Sequence, residues 1–330
     1  MNYYLLGGLL LLISSCQTKT GPFPSVMDIN EFPTTTMVAT MEEEVDWNKN
    51  VLYCPTLLYA WQEIKDTLPQ PFVIEAQLLP LRQLNNSVGH LGALEEGEYE
   101  KEITVELDHI AARASFKANL LLETPLESNP IPLSFDGEKV ASFGGYGINK
   151  AVANQVEVLF YESAEELAIL LFPKDRDQHL ILYKTRDKTH RSLGERYAVL
   201  LEKMEHYESN GPKASTWVED DVLAIPTLAF NLEKNYERLE GSSFSAGGKL
   251  LSIMTAQQRI ALALNETGAL VESEAEVILS RSAEEELQSR LPLRLIFNDD
   301  FLLVAKKRTA VQPYLLTWIS DPTLMTPIAE

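Results

Sequence analysis

Leu293-Arg294-Leu295-Ile296-Phe297-Asn298-Asp299-Asp300-Phe301-Leu302-Leu303-Val304-Ala305 decides the fold class of this chain. Two apolar runs, each too short for a helix, flank a triplet of turn-forming residues. The stretch therefore predicts strands over Leu293 to Phe297 and Phe301 to Ala305, and Tyr314 to Ile319 predicts a third. The second run is apolar at consecutive positions, as expected for a strand buried on both faces.

Outward from this stretch the same pattern recurs. Strands are expected over Val156 to Phe160 and Leu167 to Phe172, separated by a polar turn at Glu162 to Glu166, and over Val222 to Ile225 and Arg259 to Leu264. Asn50 to Tyr53 is a short strand stopped by Pro55, and Val105 to Leu122 alternates before becoming continuously apolar. Helices are expected over Leu57 to Asp66 and over Leu193 to His206. In the second, Leu193, Tyr197, Leu200, Leu201 and Met204 share one face. A further short helix is expected from Met37-Val38-Ala39 to about Asp46. Strands outnumber helices and short turns join them, so the expected class is α+β with a large antiparallel component and flanking helices. No internal repeat is present.

Composition removes several functions. The net charge of −20 leaves no basic stripe to neutralise phosphates, which argues against nucleic-acid binding. The five histidines, His90, His109, His179, His190 and His206, are scattered without metal-ligand spacing. There is no G-x-S-x-G elbow. Gly144-Gly145-Tyr146-Gly147 lacks the spacing of a phosphate cradle and is expected to form a tight turn. The runs Glu42-Glu43-Glu44, Asp220-Asp221 and Glu284-Glu285-Glu286 are expected to be solvated, and Cys54 to be a small buried hydrophobe rather than a nucleophile. No catalytic set, metal site or cofactor site is expected, and the chain is not expected to be an enzyme.

The N-terminus is expected to carry an export signal. Tyr3 to Ile13 is an uncharged apolar run of signal-peptide size, too short for a transmembrane helix. Ile13-Ser14-Ser15-Cys16 resembles the bacterial lipobox, which implies cleavage before Cys16 and acylation of that cysteine by palmitate-class chains. Two acyl chains anchor stably where one does not. The expected organisation is a signal peptide over 1–15, a lipidated tether over 16–36 with Gly21, Pro22, Pro24 and Pro33, and a single domain over 37–330. The expected location is the bacterial cell envelope, at the outer membrane, with the direction it faces left open. With Cys16 acylated, Cys54 is the remaining thiol and no disulfide can form within the mature chain.

Several stretches, in order, resemble the serpin family. Asn50-Val51-Leu52-Tyr53-Cys54-Pro55 resembles the serpin strand-to-helix junction, and His109 to Glu127 the long central strand, with Phe116-Lys117-Ala118-Asn119 as its marker. Val156 to Asp175, closing on Leu171-Phe172-Pro173-Lys174-Asp175, resembles a family hairpin. Across Val222 to Thr323 the resemblance is carried by Ile225-Pro226, Tyr236, Leu239, the segment Leu264-Asn265-Glu266-Thr267-Gly268, the run Phe297 to Val304, and Ser320-Asp321-Pro322-Thr323. The resemblance implies a serpin-like fold with a main sheet reduced by a missing segment, because 67–104 is too short for the helices and strands the family places there. It also departs at Cys54 and Leu57, where the family has serines that control sheet opening, and at Leu120, where it has Trp.

What the resemblance implies for function centres on one loop. Glu266, Gly268 and Ala269 stand at the hinge of a reactive-centre-like loop running to about Arg290, and Arg281-Ser282 is the candidate scissile bond, with Arg290-Leu291 a secondary site. In the family such a loop, once cleaved, inserts as an extra strand and distorts the protease attached to it. Insertion needs alternation: Ala269, Val271, Ser273 and Ala275 suit burial, while Leu270, Glu272, Glu274 and Glu276 suit the solvent side. An exposed edge strand with one polar face carries the same pattern. The expected partner is a serine or cysteine protease or another protein, with the membrane reached through the N-terminal lipid. The alternative is a non-inhibitory binding module on the same scaffold. The oligomeric state is not legible.

Overall fold

The computed structural model describes residues 23–105, 110–116, 118–210, 217–270 and 291–328. In chain order the strands begin with β1 (Met27–Asp28), β2 (Thr35–Val38) and β3 (Asn50–Tyr53), followed by helix α1 (Thr56–Thr67). Next come β4 (Phe72–Ile74), helix α2 (Leu79–Ser87), β5 (Tyr99–Val105), β6 (Ile110–Phe116), β7 (Asn119–Leu121) and β8 (Glu127–Ser128). The middle of the chain gives β9 (Leu133–Phe135), β10 (Glu138–Val140), β11 (Ser142–Tyr146), helix α3 (Lys150–Gln155), β12 (Val156–Ser163), β13 (Glu166–Leu171) and β14 (Gln178–Lys184). After helix α4 (Leu193–Asn210) come β15 (Val222–Pro226), β16 (Leu228–Asn235), β17 (Ser243–Ala246) and β18 (Lys249–Ser252). Last are β19 (Gln257–Asn265), β20 (Gly268–Leu270), β21 (Arg294–Ile296), β22 (Phe301–Lys307) and β23 (Leu315–Ile319).

A seven-stranded sheet, in the order β12-β13-β14-β22-β23-β3-β2, forms the centre of the molecule. It is antiparallel except at its β3–β2 edge. The run Phe301 to Ala305 that decides the fold class lies in its middle strand. Its residues alternate between two cores: Phe301, Leu303 and Ala305 pack into one cluster, Leu302 and Val304 into the other. Burial on both faces explains why this strand reads as an unbroken apolar run. On the second face α1 and α4 cover the sheet through Leu57, Leu58 and Trp61 and through Leu193, Tyr197 and Leu200. Arg196 of α4 is fully buried there, its guanidinium 4.9 Å from the ring of Trp47 and 5.3 Å from that of Trp318. The first face packs against a five-stranded sheet, β1-β16-β19-β20-β7, through Leu228, Phe230, Leu232, Ile260, Leu262 and Leu264. Smaller sheets complete the body: β21-β15-β11-β8, β18-β17-β4, and the hairpins β5–β6 and β9–β10. The class is α+β, and the five-stranded sheet is short on one side because β6 pairs with β5 while only Asn119–Leu121 joins β20.

Five local expectations change. Asp221, expected in a solvated run, is fully buried and accepts the Val218 amide at 2.9 Å and the Leu293 amide at 2.6 Å. Thr35–Val38 is a strand pairing parallel with β3, not part of a helix starting at Met37, because its β-branched residues fit a pleated, buried edge. Residues 27–36, expected in the tether, belong to the folded body: Met27 and Asp28 pair with Leu232 and Glu233 of β16. The strand expected over Val105 to Leu122 is not continuous: Val105 ends β5, and β6 and β7 follow as separate strands with different partners. Gly144 and Gly145 lie inside β11 rather than in a tight turn. Glycine is needed there because a Cβ on Gly144 would lie 2.0 Å from the Leu223 carbonyl oxygen of the paired strand. Among the described residues no helix is long and apolar enough to cross a membrane.

Candidate functional site

The segment Asn265 to Leu270 is a hairpin set into the five-stranded sheet. Asn265 pairs with Gly268, Leu264 with Ala269 and Ala263 with Leu270. On its other side β20 pairs with β7, Ala269 facing Leu120 and Gly268 facing Leu121. Ala269, Leu264 and Leu120 are all fully buried, so three adjacent strands present one apolar row to the core. The turn residues are also tied down. The carbonyl of Thr267 accepts the Leu122 amide at 2.8 Å and that of Glu266 accepts the Leu126 amide at 2.9 Å, while Asn265 Oδ1 accepts the Thr267 amide at 2.9 Å. Gly268 has φ +108° and sits against backbone, with the Leu120 carbonyl oxygen 2.5 Å from where a Cβ would be. No other residue type fits this position without displacing β7.

Beyond the hairpin, β19 is paired on one side only. All of Gln257–Leu262 pairs with β16 through Asn235 to Phe230. On the opposite side, no strand among the described residues pairs with these positions. Among the described residues, a row of backbone groups is thus open along β19, directly continuing the line on which β20 lies. The core-facing positions of the open stretch are Leu262, Ile260 and Gln258, while Gln257 and Arg259 are exposed.

A buried polar cluster closes the far end of this open side. The Tyr236 hydroxyl donates to Gln258 Oε1 at 2.7 Å, and Gln258 Nε2 donates to the Cys54 carbonyl and to Thr56 Oγ1, each at 2.8 Å. Thr56 Oγ1 in turn donates to Cys54 Sγ at 3.7 Å. The cluster joins β19 to the start of α1, so this end of the sheet is held by side chains rather than by a strand. Burial pushes the Cys54 thiol up to about 11, and burial also raises the Tyr236 phenol, so both are neutral at ordinary pH.

Of the residues singled out from the sequence, Glu266, Gly268 and Ala269 come together in the hairpin, and Cys54 sits in the polar cluster 3% exposed. Cys16, Arg281, Ser282 and the alternating residues 271–276 lie outside the described residues. Gln258 is the residue that sequence reasoning missed. One glutamine in a strand carries no signal of its own; only its place between Tyr236 and Cys54 marks it.

Three solved structures similar to this chain are serpins, the family that the quoted stretches resemble. They are thyroxine-binding globulin in complex with thyroxine (11% identity over 65% of this chain and 56% of that one, TM-score 0.39), Manduca sexta serine protease inhibitor (serpin) 12 (15%, 62% and 54%, TM-score 0.39), and human glycosylated kallistatin (15%, 64% and 54%, TM-score 0.40). No family model and no curated protein sequence matches the chain. The chain spans about half the length of these solved proteins, 54 to 56% of each.

Proposed function

We propose that the chain is a lipid-anchored protein of a bacterial cell envelope that presents the segment after Leu270 to a protease and, once cut at Arg281-Ser282, takes that segment up beside β19. Register is the observation that supports this reading. Continuing the Leu264–Ala269 pairing sets Val271 opposite Leu262, Ser273 opposite Ile260 and Ala275 opposite Gln258. Directly opposite residues share a face. The small residues of the segment would thus enter the core beside positions that are 0%, 5% and 5% exposed. Glu272, Glu274 and Glu276 would stand outward opposite Ala261, Arg259 and Gln257, with Glu274 and Arg259 attracting across the strands. An acyl-linked protease would be carried along and pressed against the body.

Magnitudes bear on the strength of the trap, and they support the second reading. Each added ladder hydrogen bond contributes about 1 kcal/mol net. Ordering each backbone residue costs about 1–2 kcal/mol. Pairing on one side alone therefore comes out near zero, and a net gain needs burial or a second wall. Among the described residues the strand on that far side, β7, pairs with Gly268 to Leu270 and does not reach the positions after Leu270. A binding module that retains the loop without trapping follows if that wall is too short.

Limited digestion with trypsin separates the readings. A trap gives an SDS-stable adduct with trypsin and a cleaved form that melts well above the intact one, and Arg281→Gln abolishes both. Clean nicking with unchanged melting and no adduct rejects inhibition and leaves the binding module.

A further inference from the structure

Three adjacent strands of the seven-stranded sheet end in a row of groups that the protease reading does not use. His179 of β14 pairs directly with Lys306 of β22. Phe172 follows Leu171, which pairs with Leu180, so its ring lies next in line, 6.4 Å from the His179 ring at 83°. The Arg176 guanidinium covers the outer side of Phe172 at 5.3 Å. His179 and Lys306 are both half-buried and reachable from solvent.

The two faces of β22 treat neighbouring lysines differently. Lys307 points to one side, where Glu98 at 2.8 Å and Glu95 at 3.1 Å neutralise it. Gln178, its partner across the strands, accepts the Tyr314 hydroxyl on that side, and Asp175 acts on Tyr314 as well. Lys306 points to the other side and has no carboxylate partner among the described residues. Burial lowers its pKa. The charges acting on His179 are those of Lys306 and Arg308, which add to burial in holding it below its ordinary value. The other carboxylates nearby are engaged: Asp177 with Arg308 at 3.5 Å and Glu123 with Arg176 at 3.6 Å. Two cationic or cationisable groups directly opposite one another destabilise a sheet unless something neutralises them.

We propose that the cross-strand pair His179 and Lys306 is a binding site for a tetrahedral oxyanion, namely the phosphate group of free phosphate or of an anionic lipid headgroup. Lys306 supplies the point charge and His179 a ring N–H, with Phe172 as the apolar wall. In a chain of net charge −20, such a ligand has no reason to gather elsewhere on the surface non-specifically.

The test uses the full chain in neutral detergent, with inorganic phosphate as the probe and the His179 imidazole signal as the readout. Bound phosphate raises the pKa of His179 in a saturable way. Lys306→Gln weakens binding about ten-fold or more, as expected for losing a charged hydrogen bond. Lys307→Gln, on the other face, leaves it unchanged. A second arm compares phosphatidylglycerol vesicles with phosphatidylcholine vesicles. Preference for phosphatidylglycerol that Lys306→Gln removes, with free phosphate inert, assigns the ligand to a lipid headgroup. An unmoved His179 with no vesicle preference, or binding indifferent to Lys306→Gln, overturns the proposal.

Discussion

Replacing Gly268 by alanine strikes the hinge where it is tightest. The residue has φ +108°, and a Cβ would lie 2.5 Å from the Leu120 oxygen, 2.6 Å from the Leu122 nitrogen and 2.9 Å from the Leu121 Cα. All three contacts are backbone atoms of or beside β7, so no side chain can swing away. Holding alanine at this φ costs about 1–3 kcal/mol. Forcing a methyl group into packed backbone costs about 1–3 kcal/mol more. The sum, roughly 2–6 kcal/mol, is a large share of the about 5–15 kcal/mol that a folded domain has. The chain can meet it by losing global stability or by releasing β20 from the sheet. Urea unfolding reads the first, and hydrogen exchange of the Ala269, Leu270 and Leu122 amides reads the second. An unchanged midpoint together with unchanged protection at those amides would refute the seating of β20 between β19 and β7.

Gln258→Ala should cost roughly 2–4 kcal/mol in urea unfolding, because the buried Tyr236 hydroxyl and the Cys54 carbonyl both lose a partner; a loss below about 0.5 kcal/mol would show that water replaces the side chain. Burial raises the Glu43 carboxyl above its ordinary 4.5, against the amides of Ala39 and Thr40 and the charges of Lys234 and Arg238. The folded state therefore holds this proton more tightly than the unfolded one, so stability falls as pH rises from about 4.5 to the folded value and is level above it. Glu43→Gln should remove that part of the slope in a pH series of melting temperatures, and an identical slope in the variant would contradict the assignment. Cys54, with its thiol pushed up to about 11 and 3% exposed, should not react with a thiol reagent at pH 8 until the chain is denatured. The denatured, membrane-extracted chain should then yield one thiol equivalent; two would mean that Cys16 is not acylated.

How much of this was legible depended on whether the cause was local. Phe301 to Ala305, Leu167 to Phe172 and the apolar face of Leu193 to Met204 were readable because each residue run is itself the pattern that burial produces. Asn50 to Tyr53 was readable because Pro55 ends it. Thr35–Val38 was misread because its partner β3 is supplied by another part of the chain, and four residues do not separate a strand from one helical turn. Gly144 read as a turn because the Leu223 carbonyl that demands glycine there lies across the sheet. Within the site, the alternation from Ala269 onwards was visible as a period of two, but the side of β19 left open among the described residues was not. Lys306 and Lys307 are the same residue type in succession, and only the register of β22 shows that they face opposite sides, one toward Glu98 and the other away from any carboxylate among the described residues.

The most direct test of loop uptake is a cross-link across the expected register. Extending the Ala263–Leu270 pair by two residues sets Ala261 opposite Glu272 on the outward side of the sheet. In a chain carrying Ala261→Cys and Glu272→Cys, the disulfide should form readily after cleavage at Arg281 and not in the intact chain. A fully cleaved chain that forms no such bond, or an intact chain that forms it equally fast, would contradict the account.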